Sequence, residues 1–281
     1  MRNSPIDTSF FKGKTYFISG ASRGIGKAIA LKLASGGANI IIASKSTEEN
    51  PKLGGTIYSA AAEVEVAGGK AVAVPCDIRD EAQIAAAVAK GVEAFGGIDG
   101  VINNASAISL TQTAQTETKR LDLMHSINVR GTFLVTKHCL PYLEKSNSAH
   151  ILTLSPPVSQ NPKWLAMSLA YTISKYNMTL LAMGWAAELG KKSIAANALW
   201  PVTTIATAAV RNLLGGEEMV QRSRIPEILA DAAAWILQQA PQSCTGNAFL
   251  DEAVLAKAGI TDLEEYAVTP GVELQRDLFV E

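Results

Sequence analysis

The stretch Lys14-Thr-Tyr-Phe-Ile-Ser-Gly20-Ala-Ser-Arg-Gly24-Ile-Gly26 joins a short apolar run to the beginning of a helical pattern. The apolar run predicts a strand, and three glycines follow it where the helix starts. Glycine lets the backbone turn sharply and approach a ligand closely, and the free N–H groups of a helix start bind anionic oxygen. The stretch therefore predicts a pyrophosphate site in an α/β fold, although a tight strand-to-helix turn without a ligand would use the same residues.

Apolar runs and helical patterns continue to alternate along the chain. Strands are predicted at 14–20, 38–44, 70–76, 98–103, 150–155, 194–199 and 247–251. Helices are predicted from about 24, at 59–67, at 80–95, at 119–144 and around 171. Near-continuous apolar strands that alternate with helices indicate a parallel sheet covered on both faces. We expect one doubly wound Rossmann domain over residues 1–281, with a mostly parallel seven-stranded sheet and helices on both faces.

Two segments lie outside this repeating pattern. The connection 45–56 is polar and unusually long, and residues from about 253 to 281 form a C-terminal extension. Such pieces shape a substrate site or an oligomer contact, or they simply decorate the surface.

Composition excludes several classes of function. The formal net charge is −1 without long runs of one sign, which argues against a nucleic-acid partner. The apolar region 164–189 is interrupted by a lysine and several polar residues, so we expect a buried or interface helix rather than a membrane span. The three cysteines and three histidines show no spacing typical of disulfides or metal sites. We therefore expect no metal and a cytoplasmic location.

Tyr171-Thr-Ile-Ser-Lys175 is the strongest candidate for chemistry. Residues four apart lie about one turn apart on the same helix face. A free phenol has a pKa near 10, and a neighbouring cation favours the phenolate. Lys175 together with a positive nicotinamide would lower the pKa of Tyr171 and make it a general acid/base. A simple pair on a helix surface is the alternative interpretation.

Together these motifs resemble the short-chain dehydrogenase/reductase family over nearly the whole chain. The motifs are Gly20-x-x-x-Gly24-Ile-Gly26, Asn103-Asn-Ala-Ser106, Asn128 within Ile-Asn-Val, Tyr171-x-x-x-Lys175 and Asn197-Ala-Leu-Trp-Pro201. Within the family the chain resembles the hydroxysteroid dehydrogenase-like protein 2 subgroup, through the stretches 103–110, 118–124, 154–157, 197–201 and 213–216. Some members of that subgroup carry an additional sterol-carrier domain, and we expect none within these residues.

The resemblance implies a role for each matching residue. Tyr171 would exchange a proton with the substrate oxygen, Lys175 would bind the nicotinamide ribose, and Asn128 would hold a water in a proton relay. Ser155 would hydrogen-bond the substrate oxygen. The cofactor-binding residues would be Gly20, Ser22, Arg23, Gly24, Ile25, Gly26, Ser44, Lys45, Asp77, Ile78, Asn104, Ala105, Tyr171, Lys175, Pro201 and Thr203. Asn104 and Asn128 would alternatively bond neighbouring backbone, and Asp77 would alternatively cap a helix.

The catalytic serine departs from the family pattern. In most members it lies thirteen residues before the tyrosine, where this chain has Val158. We expect Ser155 to serve because it ends a strand, with Ser159 as the alternative. Likewise, Val202 follows Pro201 where the family usually has glycine.

Charge at the end of the second strand favours NADP over NAD. An NAD site usually has a carboxylate there for the ribose 2′-hydroxyl, but this strand ends in Ser44 and Lys45. With Arg23 they suit a 2′-phosphate. Glu48 and Glu49 follow closely, so NAD remains an alternative.

We therefore expect an NADP-dependent oxidoreductase that interconverts a secondary alcohol and a ketone on a small hydrophobic substrate. The substrate would be lipid-like, steroid-like or acyl. A dinucleotide-binding protein with little catalysis and an assembly protein are the alternatives. The resemblance also implies a homodimer or homotetramer, built through the helices at about 119–144 and 168–189.

Overall fold

The structure is a computed structural model that describes residues 6–281. Seven parallel strands form one sheet in the order β3-β2-β1-β4-β5-β6-β7. The strands are β1 Thr15–Ser19, β2 Asn39–Ser44, β3 Lys70–Pro75, β4 Gly100–Asn103, β5 Ala149–Leu154, β6 Ile194–Trp200 and β7 Ala248–Leu250. This arrangement confirms the predicted fold class.

The helices connect the strands and cover both faces of the sheet. They are α1 Gly24–Ser35, α2 Ile57–Val66, α3 Glu81–Phe95, α4 Thr118–Met124, α5 Thr132–Leu143, α6 Pro162–Met167, α7 Leu169–Leu189, α8 Gly216–Gln221, α9 Glu227–Gln238 and α10 Asp251–Lys257. Single 3₁₀ turns lie at Ser9–Phe11, Thr113–Gln115, Gly190–Lys192 and Glu264–Tyr266, and π-helical turns lie at His125–Gly131 and Val210–Leu214.

Side chains alternate between two hydrophobic cores because successive residues of a strand point to opposite faces. Ile40 and Ile42 join the core that includes residues of α1, α2 and α9, whereas Ile41 joins the core that includes residues of α3 and α5. All three side chains are fully buried. Burial on both faces explains why the strands read as continuous apolar runs.

The predicted helix at 119–144 is a helical stretch interrupted by the π-helical turn His125–Gly131. Asn128 lies in this turn. At the preceding crossover, the N-cap of α3 is Asp80, whose Oδ1 accepts from the backbone N–H groups of Ala82 and Gln83. The alternative that Asp77 caps this helix is therefore wrong.

The C-terminal extension returns to the carboxyl end of β6. Hydrogen bonds to residues 200–204 attach its last part, residues 275–281, which we call the C-terminal segment. The N–H of Thr204 donates to Gln275 O at 2.9 Å and that of Asp277 to Val202 O at 3.0 Å. Trp200 Nε1 donates to Leu278 O at 2.8 Å.

No helix within residues 6–281 is long and apolar enough to cross a membrane.

Candidate active site

A cavity of about 590 Å³ opens at the carboxyl edge of the sheet. Strand order reverses around β1, and ligands of doubly wound sheets bind at such a point. Most of the residues predicted for the site line this cavity: Gly20, Ser22, Arg23, Gly24, Ile25, Ser44, Lys45, Asp77, Ile78, Asn104, Ala105, Tyr171, Lys175 and Pro201. Four predicted residues are not part of its lining: Gly26, Asn128, Ser155 and Thr203.

The glycine loop has the geometry needed to hold a pyrophosphate. Gly20 and Gly24 have φ angles of +70° and +57°, which favour glycine. The side chain of Arg23, the N-cap of α1, makes no capping hydrogen bond, so it does not occupy the first N–H groups of the helix. A dinucleotide phosphate would fit these N–H groups. Gly26 serves packing, because a Cβ there would lie 2.5 Å from Asn104 Nδ2.

The loop after β4 is attached to the end of β1. Asn104 Nδ2 donates to Ser19 O and Gly20 O, each at 3.0 Å. Ser19 Oγ accepts from the N–H groups of Asn104 and Ala105, each at 3.1 Å. The side chain of Asn104 thus hydrogen-bonds neighbouring backbone, as the alternative interpretation predicted. Asn104 also lines the cavity. Sequence reasoning overlooked the part that Ser19 plays.

Ser44, Lys45 and Arg23 all line the cavity. Arg23 donates to the carbonyl oxygens of Gly54 and Gly55 at 2.6 and 2.9 Å, and burial lowers the pKa of its guanidinium. The polar connection 45–56 is thereby bound to the glycine loop and contributes to the cavity wall. Glu48 and Glu49 are not part of that wall.

Asp77 lies on the wall with its carboxylate held by a neighbour. Arg79 Nε donates to Asp77 Oδ1 at 2.9 Å and Nη2 to Oδ2 at 2.5 Å. These hydrogen bonds, followed by further contributions from Arg79 and Lys45, lower the pKa of the Asp77 carboxyl despite partial burial.

Tyr171 and Lys175 lie one turn apart on α7 and both face the cavity. Lys175 Nζ donates to Leu154 O at 2.7 Å and lies 5.0 Å from the centroid of the Trp200 ring. Burial lowers the pKa of Lys175 to about 7, although Asp277 acts in the opposite direction.

Burial also raises the pKa of Tyr171 far above its usual range, and Asp277 raises it further. Lys175 alone does not lower the pKa of Tyr171 in the free chain, and the lowering predicted for Lys175 together with a positive nicotinamide stays a prediction. Desolvation of both groups outweighs the effect of a lysine one turn away.

Neither candidate serine presents its hydroxyl to the cavity. Ser155 is fully buried, and its Oγ lies 2.8 Å from Thr179 Oγ1, which also lies 2.6 Å from Pro156 O. Because a threonine hydroxyl carries one proton and a carbonyl oxygen only accepts, Thr179 donates to Pro156 O and Ser155 donates to Thr179. Ser159 Oγ donates to Glu281 Oε1 at 2.9 Å.

Asn128 is fully buried behind the cavity. Its Oδ1 accepts from the N–H of Ala107 at 2.8 Å, and its Nδ2 donates to Ala107 O and Ser174 Oγ, each at 2.9 Å. The alternative that Asn128 bonds backbone is thus observed.

At the end of β6, Pro201 lines the cavity, whereas the buried Oγ1 of Thr203 has no partner within residues 6–281.

The C-terminal segment supplies residues that sequence reasoning missed. Asp277 and Leu278 line the cavity, and Phe279 packs on Trp164, Tyr171, Tyr176 and Trp200. The only signal in the sequence is the apolar run Leu278-Phe-Val280 after a polar stretch.

Comparison with known proteins identifies the class. The family model for short chain dehydrogenases matches residues 14–217, so the chain belongs to this family of oxidoreductases. Hydroxysteroid dehydrogenase-like protein 2 of Xenopus tropicalis is 55% identical over 275 residues, and its human counterpart is 54% identical. The match covers 98% of this chain and 65% of each of those proteins. The chain therefore spans somewhat less than two thirds of these relatives. The resemblance to both family and subgroup is confirmed.

Solved structures agree with this assignment. A putative dehydrogenase from Xanthomonas campestris is 52% identical, with a TM-score of 0.93 over 96% of this chain and 99% of the other. A metagenomic short-chain oxidoreductase in complex with NADP is 26% identical, with a TM-score of 0.70 over 86% of this chain and 97% of the other. Carveol dehydrogenase from Mycobacterium avium in complex with NAD is 22% identical and shares the fold, with a TM-score of 0.74 over 85% of this chain and 96% of the other. Relatives with this fold thus bind either nicotinamide dinucleotide.

Proposed function

We propose that the protein is an NADP-dependent oxidoreductase that interconverts a secondary alcohol and a ketone, with Tyr171 as general acid/base. The observation that carries this proposal is the placement of Tyr171 and Lys175 on the wall of the cavity that begins at the glycine loop. The cofactor would supply the hydride as NADPH or accept it as NADP⁺. The chain's own residues would orient the substrate oxygen, exclude water and move its proton.

Each polar residue would have a distinct part. Tyr171 would transfer a proton to or from the substrate oxygen, and Lys175 would bind the nicotinamide ribose and favour the phenolate once the positive nicotinamide is present. Asn128 would keep α7 in place through Ser174 and support the proton relay. Ser155 would act on the substrate oxygen only after its hydroxyl turns away from Thr179.

The cofactor proposal rests on local charge. Lys45 and Arg23 line the cavity beside Ser44, and no carboxylate of the connection 45–56 joins them there. A 2′-phosphate would gain charge-assisted hydrogen bonds at this corner. We propose that Asp77 and Ile78 contact the adenine, that Asn104 and Ala105 pack beside the cofactor, and that Pro201 and Thr203 support the nicotinamide end.

Apolar side chains of the cavity suit a hydrophobic substrate. The wall includes Ile108, Leu123, Ile127, Leu214 and Leu278. Apolar side chains around a few polar groups are typical of small-molecule sites. We propose a lipid-like, steroid-like or acyl alcohol or ketone.

Consumption of NADPH against a panel of apolar ketones and aldehydes, with NADP and the alcohols in reverse, tests this function. Tyr171→Phe is expected to lower kcat by about 10²-fold or more while NADPH affinity stays within about threefold, because only the proton donor is lost. Phe keeps the packing against Phe279, so the variant is matched in shape. Equal rates for wild type and Tyr171→Phe on a substrate of the panel would contradict the proposal.

The orientation of the two serines favours a second candidate. With both hydroxyls turned away from the cavity, a dinucleotide-binding protein of low activity has a structural basis. Saturable NADPH binding without turnover of any carbonyl or alcohol would support this alternative. A lack of saturable binding would point to the assembly role.

We further propose that residues 1–281 act as one domain and that copies associate through α5 and α7. Phe133, Ile173 and Leu180 are 46%, 40% and 55% exposed on this side. An apolar groove lined by Val129, Phe133, Leu180, Leu181 and Trp185 lies between the helices. Such an exposed apolar face favours a homodimer or homotetramer.

The cysteines are buried and unpaired, in keeping with a reducing compartment such as the cytoplasm.

A further inference from the structure

Neither predicted catalytic serine offers its hydroxyl to the cavity that Tyr171 lines. Ser155 Oγ is held by Thr179, and Ser159 Oγ is held by Glu281. During carbonyl reduction the substrate oxygen becomes negatively charged, and each donor aimed at it lowers the barrier. Tyr171 supplies one such donor.

Asp277 lies on the wall of the same cavity. Its position is fixed by backbone contacts, since its N–H donates to Val202 O at 3.0 Å and its Oδ1 accepts from the N–H of Leu278 at 2.7 Å. Oδ2 has no hydrogen-bond partner within the described chain, and no ion pair joins the carboxyl to Lys175. One carboxyl oxygen therefore remains available to a ligand beside the tyrosine.

We propose that Asp277, in its protonated form, is a catalytic residue that donates a second hydrogen bond to the substrate oxygen. This inference rests on the proposed function. In the reduction, the carbonyl carbon accepts the hydride that NADPH supplies, and the π electron pair moves to oxygen. The oxygen takes the phenolic proton of Tyr171, which solvent later replaces. Asp277 keeps its own proton throughout, so NADPH, ketone and one proton yield NADP and alcohol.

Burial favours the neutral form of Asp277. It raises the pKa of the carboxyl to about 7, although the hydrogen bond from the N–H of Leu278 lowers it. Asp251 at the start of α10 raises the pKa as well, and Lys175 lowers it. The ionisable and charged groups nearby are Tyr171 and Lys175 on α7, Asp251 on α10, and Arg276 and Glu281 in the C-terminal segment. Arg276 is turned away, because it donates to the backbone oxygen of Glu281. An ionised Asp277 would oppose the Tyr171 phenolate, whereas a neutral one would not.

The first test compares Asp277→Leu, Asp277→Asn and wild type in carbonyl reduction between about pH 6 and 9. Leu removes the donor and is expected to lower kcat by about 10²-fold. Asn keeps an N–H donor and is expected to retain kcat within about tenfold. If the wild type loses activity as Asp277 ionises near pH 7, that loss should move up by more than about one pH unit in Asp277→Asn. Glu273→Gln alters an exposed carboxylate of the C-terminal extension outside the cavity and should change neither rate nor profile.

Two results would overturn the inference. One is a kcat for Asp277→Leu within about threefold of wild type. The other is a shift of the alkaline limb of Asp277→Asn to lower pH, which is expected if the carboxylate only keeps Lys175 charged.

A second measurement does not depend on turnover. In protein labelled with ¹³C at aspartate carboxyl carbons and saturated with NADPH, one resonance absent from Asp277→Asn should titrate above about pH 6. Titration below about pH 5 would overturn the inference, because an ionised carboxyl donates no hydrogen bond. If the wild type reduces no carbonyl, or reduces it at the same rate as Tyr171→Phe, the proposed function fails. This titration still decides whether Asp277 holds a proton.

Discussion

The ring of Phe279 lies 6.1 Å from the ring of Tyr171, measured between centroids. The same phenylalanine lies 5.4 Å from Tyr176 and 6.0 Å from Trp200. Only 2% of Phe279 is exposed, although its φ of +69° places it in the left-handed region that bulky residues avoid. Packing against this aromatic cluster therefore compensates an unfavourable backbone conformation and attaches the C-terminal segment to the proposed acid/base.

Phe279→Ala is expected to lower the free energy of unfolding by about 3 kcal/mol, because it removes a buried aromatic side chain from this cluster. Chemical denaturation with urea, followed by fluorescence and circular dichroism, measures the change. Val272→Ala is the matched control, since Val272 is 39% exposed in the same extension and should change stability by less than about 0.5 kcal/mol. Equal effects of the two variants would show that the segment does not depend on Phe279.

Lys45→Ser is expected to raise the Kd of NADPH by about tenfold, equivalent to ~1.4 kcal/mol, and to leave that of NADH within about twofold. The reason is that Lys45 lines the cavity next to Ser44, where a 2′-phosphate would lie. Isothermal titration with both dinucleotides measures the ratio.

Lys52→Ser tests whether the effect is local. Lys52 belongs to the same connection but is exposed and is not part of the cavity lining. Its removal changes the net charge equally, so it should leave both affinities unchanged. If the wild-type protein binds NADH more than tenfold tighter than NADPH, the assignment of Lys45 and Arg23 to a 2′-phosphate is contradicted.

Lys175→Met is expected to stabilise the fold while it impairs activity. Burial lowers the pKa of Lys175 to about 7 from 10.5, so its charged form is disfavoured in the folded state. Between these two pH values the unfolded chain binds more protons, and stability rises with pH. The penalty is therefore complete below pH 7 and disappears as pH approaches 10.5.

The variant should thus exceed wild type by at least about 1 kcal/mol in unfolding free energy at pH 6, after allowance for the lost bond to Leu154 O. The difference should shrink as the pH approaches 10, which urea titrations at a series of pH values would reveal. Lys119→Met removes an exposed lysine that pairs with the exposed Glu117 and should show little pH-dependent gain. A destabilised Lys175→Met at pH 6 would contradict the buried charge penalty.

The parts of the site that sequence predicts are those with local causes. Gly20 and Gly24 lie at a strand-to-helix turn whose backbone needs glycine, and Tyr171 and Lys175 share a face because they are one helical turn apart. Both arrangements follow from spacing alone. The alternation of apolar strands and helices similarly indicated the doubly wound sheet.

The missing parts depend on contacts between distant segments. Whether the Ser155 hydroxyl faces the cavity or Thr179 is decided by the packing of β5 on α7, which no local pattern records. Asp277 reaches the site only because the C-terminal segment returns to the end of β6. The high pKa of Tyr171 in the chain without cofactor has the same origin, since the burial of its phenol comes from this tertiary packing.

Leu180→Glu is expected to convert an oligomer into monomers. Leu180 lies on α7 beside the groove that includes Phe133 and Trp185, and 55% of it is exposed in the single chain. A carboxylate buried between two copies would lose its hydration without gaining a partner. The association constant of the oligomer should therefore fall by several-fold to many-fold. Sedimentation equilibrium or light scattering after gel filtration measures the mass.

Val66→Glu is the control, because Val66 is 89% exposed on α2 and should leave the mass unchanged. A wild type that is monomeric at micromolar concentration, or an unchanged mass for Leu180→Glu, would show that this face is not the interface. Because the groove is separate from the cavity that holds Tyr171, monomeric Leu180→Glu should still bind NADPH.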